Sequence, residues 1–288
     1  MLTPEEKIKE RFRKISPETR EAIKKLTLMN NAFMNLVLEN NTDCAEEILR
    51  VILNKNDLVV KKVQTQRMFQ GFDRSIYLDV LAEDSKGVLY NIEIQRADEG
   101  ANPRRARFHT GMIDVHSLKA GQDFNKLPEV YVIFITLNDV LKLNRAIYTI
   151  HKYIDGKLTP FEDGSHLIYI NCSAEDDGSE ICKLIHDLRC KEAGEMYFPR
   201  LAARVKFLKE AEGGVINVED YFGELQKKAI EKAVAKVEKK LQEAEIKAQR
   251  DKESLVFTLI NIGKLTLEEI AKCSGLSLEK VQMLANTL

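Results

Sequence analysis

The chain has 288 residues, enough for one sizeable core and a small appended domain. Its 44% apolar and 31% charged residues are a globular composition, which excludes an intrinsically disordered chain. The formal net charge of −1 excludes a global basic field, so any contact with nucleic acid has to come from a local patch.

The first segment is rich in Lys and Glu with apolar residues at helical spacing, and Ser16-Pro17 reads as a helix start. We read residues 1–28 as an N-terminal helical arm. Two further helices follow. Phe33, Leu36 and Val37 stripe the first, and Ile48, Leu49 and Ile52 stripe the second. The break falls at "ENNTD", where Thr42 or Asp43 can cap the second helix. Strands come next. "DLVVKKVQTQ" is a candidate first strand, and "RSIYLDVLA" and "GVLYNIEIQ" form a hairpin across "EDSKG". "NPRRARFHTGMIDVHSLKAG" is a helix that Asn102 can cap, with Pro103 in its first turn and Gly121 after its end. "EVYVIFITL" reads as a strand buried on both faces in the middle of a sheet, and "SHLIYIN" as a further strand. Helices resume from about Gly178 to Glu212, and Gly213-Gly214 marks a boundary. These elements predict a mixed α/β core over residues 29–212, then a charged helical linker at 213–253 and a small helical domain at 254–288.

The hairpin carries polar residues where a sheet strand favours valine. Alternation along "NIEIQ" places Asn91, Glu93 and Gln95 on one face and Ile92 and Ile94 on the other. In "IYLDV" it places Tyr77 and Asp79 on one face and Ile76, Leu78 and Val80 on the other. A register that keeps the apolar faces together makes Asp79 and Glu93 direct or diagonal neighbours on the polar face. Two like charges there repel, and a divalent cation relieves that repulsion. Hard oxygen ligands on a rigid strand pair suit Mg²⁺. The alternative is a solvated polar face with no ligand.

The pattern Asp-x(13)-Glu-x-Gln on a hairpin resembles the PD-(D/E)XK nuclease superfamily. The version "YNIEIQRADEGANPRRARFH" followed by "LPEVYVIFIT" is similar to the Rpn family of recombination-promoting nucleases, also described as PD-(D/E)XK nuclease family transposases. The likeness continues through "FEDGSHLIYIN", "KLIHDLRCKEAGEMYF" and "RVKFLKEAEGG", about residues 30 to 225. It implies a restriction-endonuclease-like mixed sheet flanked by helices. It also implies metal-dependent hydrolysis of DNA phosphodiesters, with Mg²⁺ or Mn²⁺ held by Asp79, Glu93 and the backbone carbonyl of Ile94. Gln95 stands where the superfamily lysine usually stands. An amide can orient a water but brings no charge, so the metal must do more to lower the water's pKa. The branch often has an acidic residue just before the first "FM"-like helix, where this chain reads Asn30 and Asn31. Glu46 or Glu47 could substitute, although solvated helix positions are the simpler reading. The rival function is a DNA-binding or protein-interaction module whose nuclease site has decayed.

Arg96, Arg104, Arg105 and Arg107 make a local basic patch beside the motif, suited to DNA phosphates. Asp98, Glu99 and Asp114 are the acids with which they could pair instead. His109 and His116 lie seven apart on one helix, a spacing that suits polar packing better than a shared metal. "HDLRC" (His186–Cys190) offers no chemistry and reads as structural. From Glu224 to Glu253 the chain reads as a solvated helix with a thin stripe at Val234, Val237 and Leu241, a coiled-coil arm that suits a homodimer. Beyond it, Thr266 and Glu269 form a capping box, with Ile270 and Ala271 on the buried side. "CSG" ends that helix, and Ser277 starts another with Val281 and Leu284 inward. The pair resembles a helix-turn-helix, but Lys280 is the second helix's lone cation, which favours a docking module over a DNA reader. Five cysteines without a CxxC pair argue against a disulfide framework and a zinc knuckle. No stretch approaches a membrane span. We therefore expect a soluble cytoplasmic protein with DNA as partner and no membrane association.

Overall fold

The computed structural model describes residues 2–71, 73–96, 98–156 and 158–287, with the side chains of Asp98 and Glu99 outside the description. The chain divides into two compact units, Met1–Phe222 and Gly223–Leu288.

The first unit is built on a mixed sheet of six strands: β1 (Val60–Phe69), β2 (Ile76–Asp84), β3 (Leu89–Gln95), β4 (Val130–Thr136), β5 (Ile147–Ile150) and β6 (Ser165–Asn171). Their order is β1-β2-β3-β4-β6-β5. β1–β2, β2–β3 and β5–β6 are antiparallel, and β4 is parallel to both neighbours. All of β4 is buried, as its unbroken apolar run requires of a central strand covered on both faces. β5 was not anticipated. Its run is only four residues long, and it pairs at the sheet edge with β6 alone.

Helices cover both faces. α1 (Pro4–Lys14), α2 (Pro17–Lys24), α3 (Asn31–Leu38), α4 (Thr42–Leu53), α6 (Glu180–Arg189) and α7 (Pro199–Glu210) precede the long α8 (Glu212–Ile262). Phe33, Ile48, Leu49, Leu188, Leu208 and Val215 from this set pack against Val80, Ile92 and Ile133 of the sheet. α5 (Pro103–Ser117) covers the opposite face. There Ala106, Met112 and Ile113 meet Leu78, Val132 and Phe134.

Several expectations need correction. The first 28 residues are helical but join the main core, where Ile15, Ile23 and Leu28 are buried, rather than forming a separate arm. The α4 cap is Asn41, whose side chain accepts from the Cys44 N–H; Thr42 and Asp43 already lie in the helix. Glu46 and Glu47 are engaged by the protein itself rather than solvated. Glu46 is buried, accepts from the Val60 N–H and pairs with Arg50 and Arg200. Glu47 accepts from the backbone N–H groups of Arg200 and Leu201. It thereby caps α7 from a distance, where the N-cap residue Phe198 has no side-chain acceptor of its own.

Gly213-Gly214 does not interrupt the chain either, since both residues lie inside α8. A Cβ at Gly214 would run into the Phe207 carbonyl and the Leu208 backbone of α7. The residue is glycine because two helices meet there, not because the chain turns. The division between units falls later, at Phe222/Gly223. The "HDLRC" segment is structural: buried Asp187 accepts from the Tyr197 and Phe198 N–H groups, and Arg189 donates to the Cys172 carbonyl.

In the second unit, α9 (Leu267–Ser274) begins with the capping box of Thr266 and Glu269 and ends at Gly275 in the left-handed region, φ 68°. Ser277 caps α10 (Leu278–Ala285). Val256 of α8, Ile270 and Val281 form a small core. Lys280, the sole cation of α10, is 3.6 Å from Glu253.

Candidate active site

β2 and β3 pair from Glu83↔Leu89 to Val80↔Ile92, and at the next step side chains replace the backbone ladder. The Ile94 N–H donates to Asp79 Oδ2 at 3.2 Å, and the Asp79 N–H donates to Glu93 Oε1 at 3.2 Å. β2 meanwhile stays paired with β1 as far as Phe69↔Ile76. The hairpin therefore opens between two carboxylates and keeps its outer edge.

The opening coincides with a change of face. Val80 and Ala82 point into the first core, whereas Ile76 and Leu78 point into the second. Ile76, Leu78 and Val80 thus do not share a face, contrary to simple alternation. β1 changes face with its partner: Val63 lies in the first core and Phe69 in the second. Gln66, which adopts φ 52°, sits between them at the level of Asp79. A left-handed residue inside a strand reverses the pleat locally.

The two carboxylates are reached from opposite sides. Asp79, 7% exposed, accepts from Gln66 Nε2 at 3.4 Å on β1 and from the Asn31 side chain at the start of α3. Asn31 Oδ1 is taken by the Asn35 amide at 2.7 Å, so Asn31 turns its N–H towards Asp79 and offers no oxygen there. Glu93 is fully buried and tied to the α5 side. Arg105 Nη2 is 3.4 Å from Glu93 Oε2, and Arg105 Nε donates to His109 Nε2 at 3.3 Å. With Nε2 accepting, the proton of neutral His109 is on Nδ1. It donates to the Asn91 side-chain oxygen at 3.0 Å, and the Asn91 nitrogen then donates to Glu93 Oε1 at 3.1 Å and to the Val80 carbonyl at 3.2 Å. Sequence reasoning missed this Arg105–His109–Asn91–Glu93 chain. The one legible signal was an Asn in an otherwise apolar strand position.

Burial and the adjacent Glu93 charge push the Asp79 carboxyl up to about 7, against the opposing hydrogen bonds from Asn31 and Ile94 and the charge of Arg105. Two buried carboxylates with one partly exposed guanidinium, which of the pair contacts Glu93 alone, are short of positive charge. An all-oxygen donor set with such a deficit fits a hard divalent cation. Gln95 Nε2 lies 3.5 Å from Glu93 Oε2, and a Cβ at Gly100 would collide with the Gln95 amide, so the turn at Asp98–Ala101 confines that side chain.

Three of the four arginines of the expected patch divide between two clefts. Arg104 and Arg105 line a cavity with Arg74, which the sequence reading did not include. Arg96 lines a separate cleft with Lys25, Asn30 and Arg189. Arg107 is exposed and lines neither. Among the described residues Asp114 pairs with none of these arginines; Asp98 and Glu99 lie outside the described side chains. His109 and His116 have separate surroundings, since His116 stacks on Phe69 and contacts the Gln70 carbonyl.

This sheet order, with two acidic residues where a hairpin opens, is the arrangement expected of a restriction-endonuclease-like core. Residues 31–258 match the family described as PD-(D/E)XK nuclease family transposase. The chain belongs to that family. The match covers the sheet, the carboxylate pair and most of α8, and it carries a nuclease- and transposase-associated function and, in general, use of a divalent metal. No curated protein and no solved structure matches the chain. Among the described residues, no helix is long and apolar enough to cross a membrane.

Proposed function

We propose that this member of the family is a Mg²⁺-dependent DNA endonuclease, with Mn²⁺ as an alternative ion, serving recombination in the cytoplasm. The observation that carries the reading is the exchange of ladder hydrogen bonds for two carboxylates at Asp79 and Glu93. Asp79, Glu93 and the Ile94 carbonyl would hold the ion. The ion would supply a water of lowered pKa and offset charge on the phosphate. Asn91, Arg105 and the Asp79 N–H fix the Glu93 carboxylate in place. Gln95 orients the attacking water through its amide and adds no charge. Arg104 and Arg105 on one side, and Arg96 on the other, hold the DNA backbone, while exposed Arg107 extends the contact along α5. The residues support nicking or double-strand cutting and carry no sign of strand transfer.

A second copy is the other partner we infer. Ile230, Val234, Val237 and Leu241 recur at four, three and four residues along α8 and are 64, 50, 65 and 60% exposed, the spacing of a coiled-coil seam. Sedimentation should find a dimer that Val237→Glu with Leu241→Glu dissociates; a monomer at all concentrations would refute it.

The alternative reading, a decayed binding module, draws on Asn31 turning an N–H rather than an oxygen to the site and on Gln95 in the lysine place. Supercoiled plasmid incubated with Mg²⁺, Mn²⁺ or EDTA separates the two. Metal-dependent nicked or linear product that vanishes in Asp79→Ala supports the nuclease. A folded protein that shifts DNA, with no cleavage under any metal, supports the binding module.

A further inference from the structure

Beside the carboxylate pair, on the α5 side, lies a cavity of about 700 Å³. Its walls combine two chemistries. Arg74, Arg104 and Arg105 supply guanidinium groups, and Tyr77 of β2 and Phe108 of α5 supply aromatic rings. These two residues are 45% and 39% exposed, although each sits on an element whose neighbours Ile76 and His109 are buried. No carboxylate lines the cavity among the described residues. Arg105 reaches from it to Glu93, so the cavity adjoins the residues proposed to hold the metal.

We infer that this cavity receives an unstacked nucleotide next to the phosphate that is cut, so that the favoured substrate is DNA with unpaired bases. A ligand matching these walls is an anion that also carries a flat π-face. Guanidinium groups meet its phosphate, and the rings stack on its base. In an intact duplex the base faces are covered by their neighbours, and an aromatic side chain at the surface cannot reach them without unstacking. The inference rests on the nuclease reading for the scissile phosphate, but the binding preference can be measured without cleavage.

The test is fluorescence anisotropy of the full chain in EDTA with a labelled single strand, its blunt duplex, and the same duplex carrying a central unpaired bulge. Single-stranded and bulged DNA should bind more tightly than the blunt duplex. Tyr77→Ala and Phe108→Ala should each weaken binding to the unpaired substrates by roughly five- to a hundredfold, the range of a lost base–aromatic stack, and leave the blunt duplex nearly unchanged. Tyr77→Phe and Phe108→Tyr, which keep a ring, should bind as the parent does. Equal affinity for all three DNAs overturns the inference, as does equal weakening of all three by the alanine variants. Unpaired-strand preference in a protein that cleaves nothing would leave the cavity's preference for an unstacked nucleotide standing and sink the nuclease reading with its scissile phosphate. Metal-dependent cleavage without the preference would do the reverse.

Discussion

Replacing Asn91 by Leu tests whether the buried relay behind Glu93 does what its geometry implies. Leucine has nearly the shape of asparagine and suits the strand, so the change removes hydrogen bonds and little packing. Two losses follow. The His109 Nδ1–H, on a side chain only 2% exposed, is left without the Asn91 oxygen, at about 1–3 kcal/mol for a buried unsatisfied donor. Glu93 loses a donor to a fully buried carboxylate, again about 1.5–3 kcal/mol. With partial relaxation the variant should be about 2–4 kcal/mol less stable in urea titrations run in EDTA. The Mn²⁺ concentration for half-maximal cleavage should rise roughly 10–100-fold, the usual cost of removing a group that orients a metal ligand. Gln95→Leu is the control, because its contact with Glu93 is long, at 3.5 Å, and stability should barely move. Stability within about 0.5 kcal/mol of the parent and an unchanged Mn²⁺ requirement in Asn91→Leu would refute the reasoning.

Other predictions follow from particular contacts. The raised Asp79 carboxyl means that the folded state binds its proton more tightly than the unfolded state does. Metal-free stability should therefore fall as pH rises from the ordinary value of 3.8 towards about 7 and level off above it. Asp79→Asn should flatten that fall and melt higher than the parent at pH 8 in EDTA, while cleaving nothing. Gly214→Ala places a Cβ against the Phe207 carbonyl and should cost about 1–3 kcal/mol, whereas Gly213→Ala, with open space around its Cβ, should be neutral or stabilising by up to about 1 kcal/mol. Glu47→Ala uncaps α7 and should cost about 1–2 kcal/mol in denaturant titration, with Glu47→Gln recovering part of the loss.

Most of the sheet was legible because its strands carry their own signals. β4 is continuous and β-branched, and the β2–β3 hairpin has a polar turn. The carboxylate pair was legible for the opposite reason, since Glu93 breaks an apolar strand pattern. The way the pair is assembled was not. Alternation assumes an unbroken pleat, and the left-handed Gln66 with the face change at Asp79 breaks it. Arg74 meets the site from the connection before β2, whose local sequence says nothing of its destination. Glu46 and Glu47 looked like solvent-facing helix residues because only the folded chain brings them to Val60 and to the start of α7. Gly213-Gly214 looked like a boundary because glycine signals a turn and a close helix crossing with the same letter.

Everything proposed for the site depends on Asp79 and Glu93 binding a divalent cation together. Calorimetric titration of Mg²⁺ and Mn²⁺ into the full chain, beside Asp79→Asn and Glu93→Gln, tests it most directly. If the two carboxylates share the ion, the parent chain shows a binding event that both variants lose. At pH values below about 7, where Asp79 holds a proton before the ion arrives, binding should release that proton. Undiminished binding in either variant, or no divalent binding by the parent chain, would contradict a shared ion.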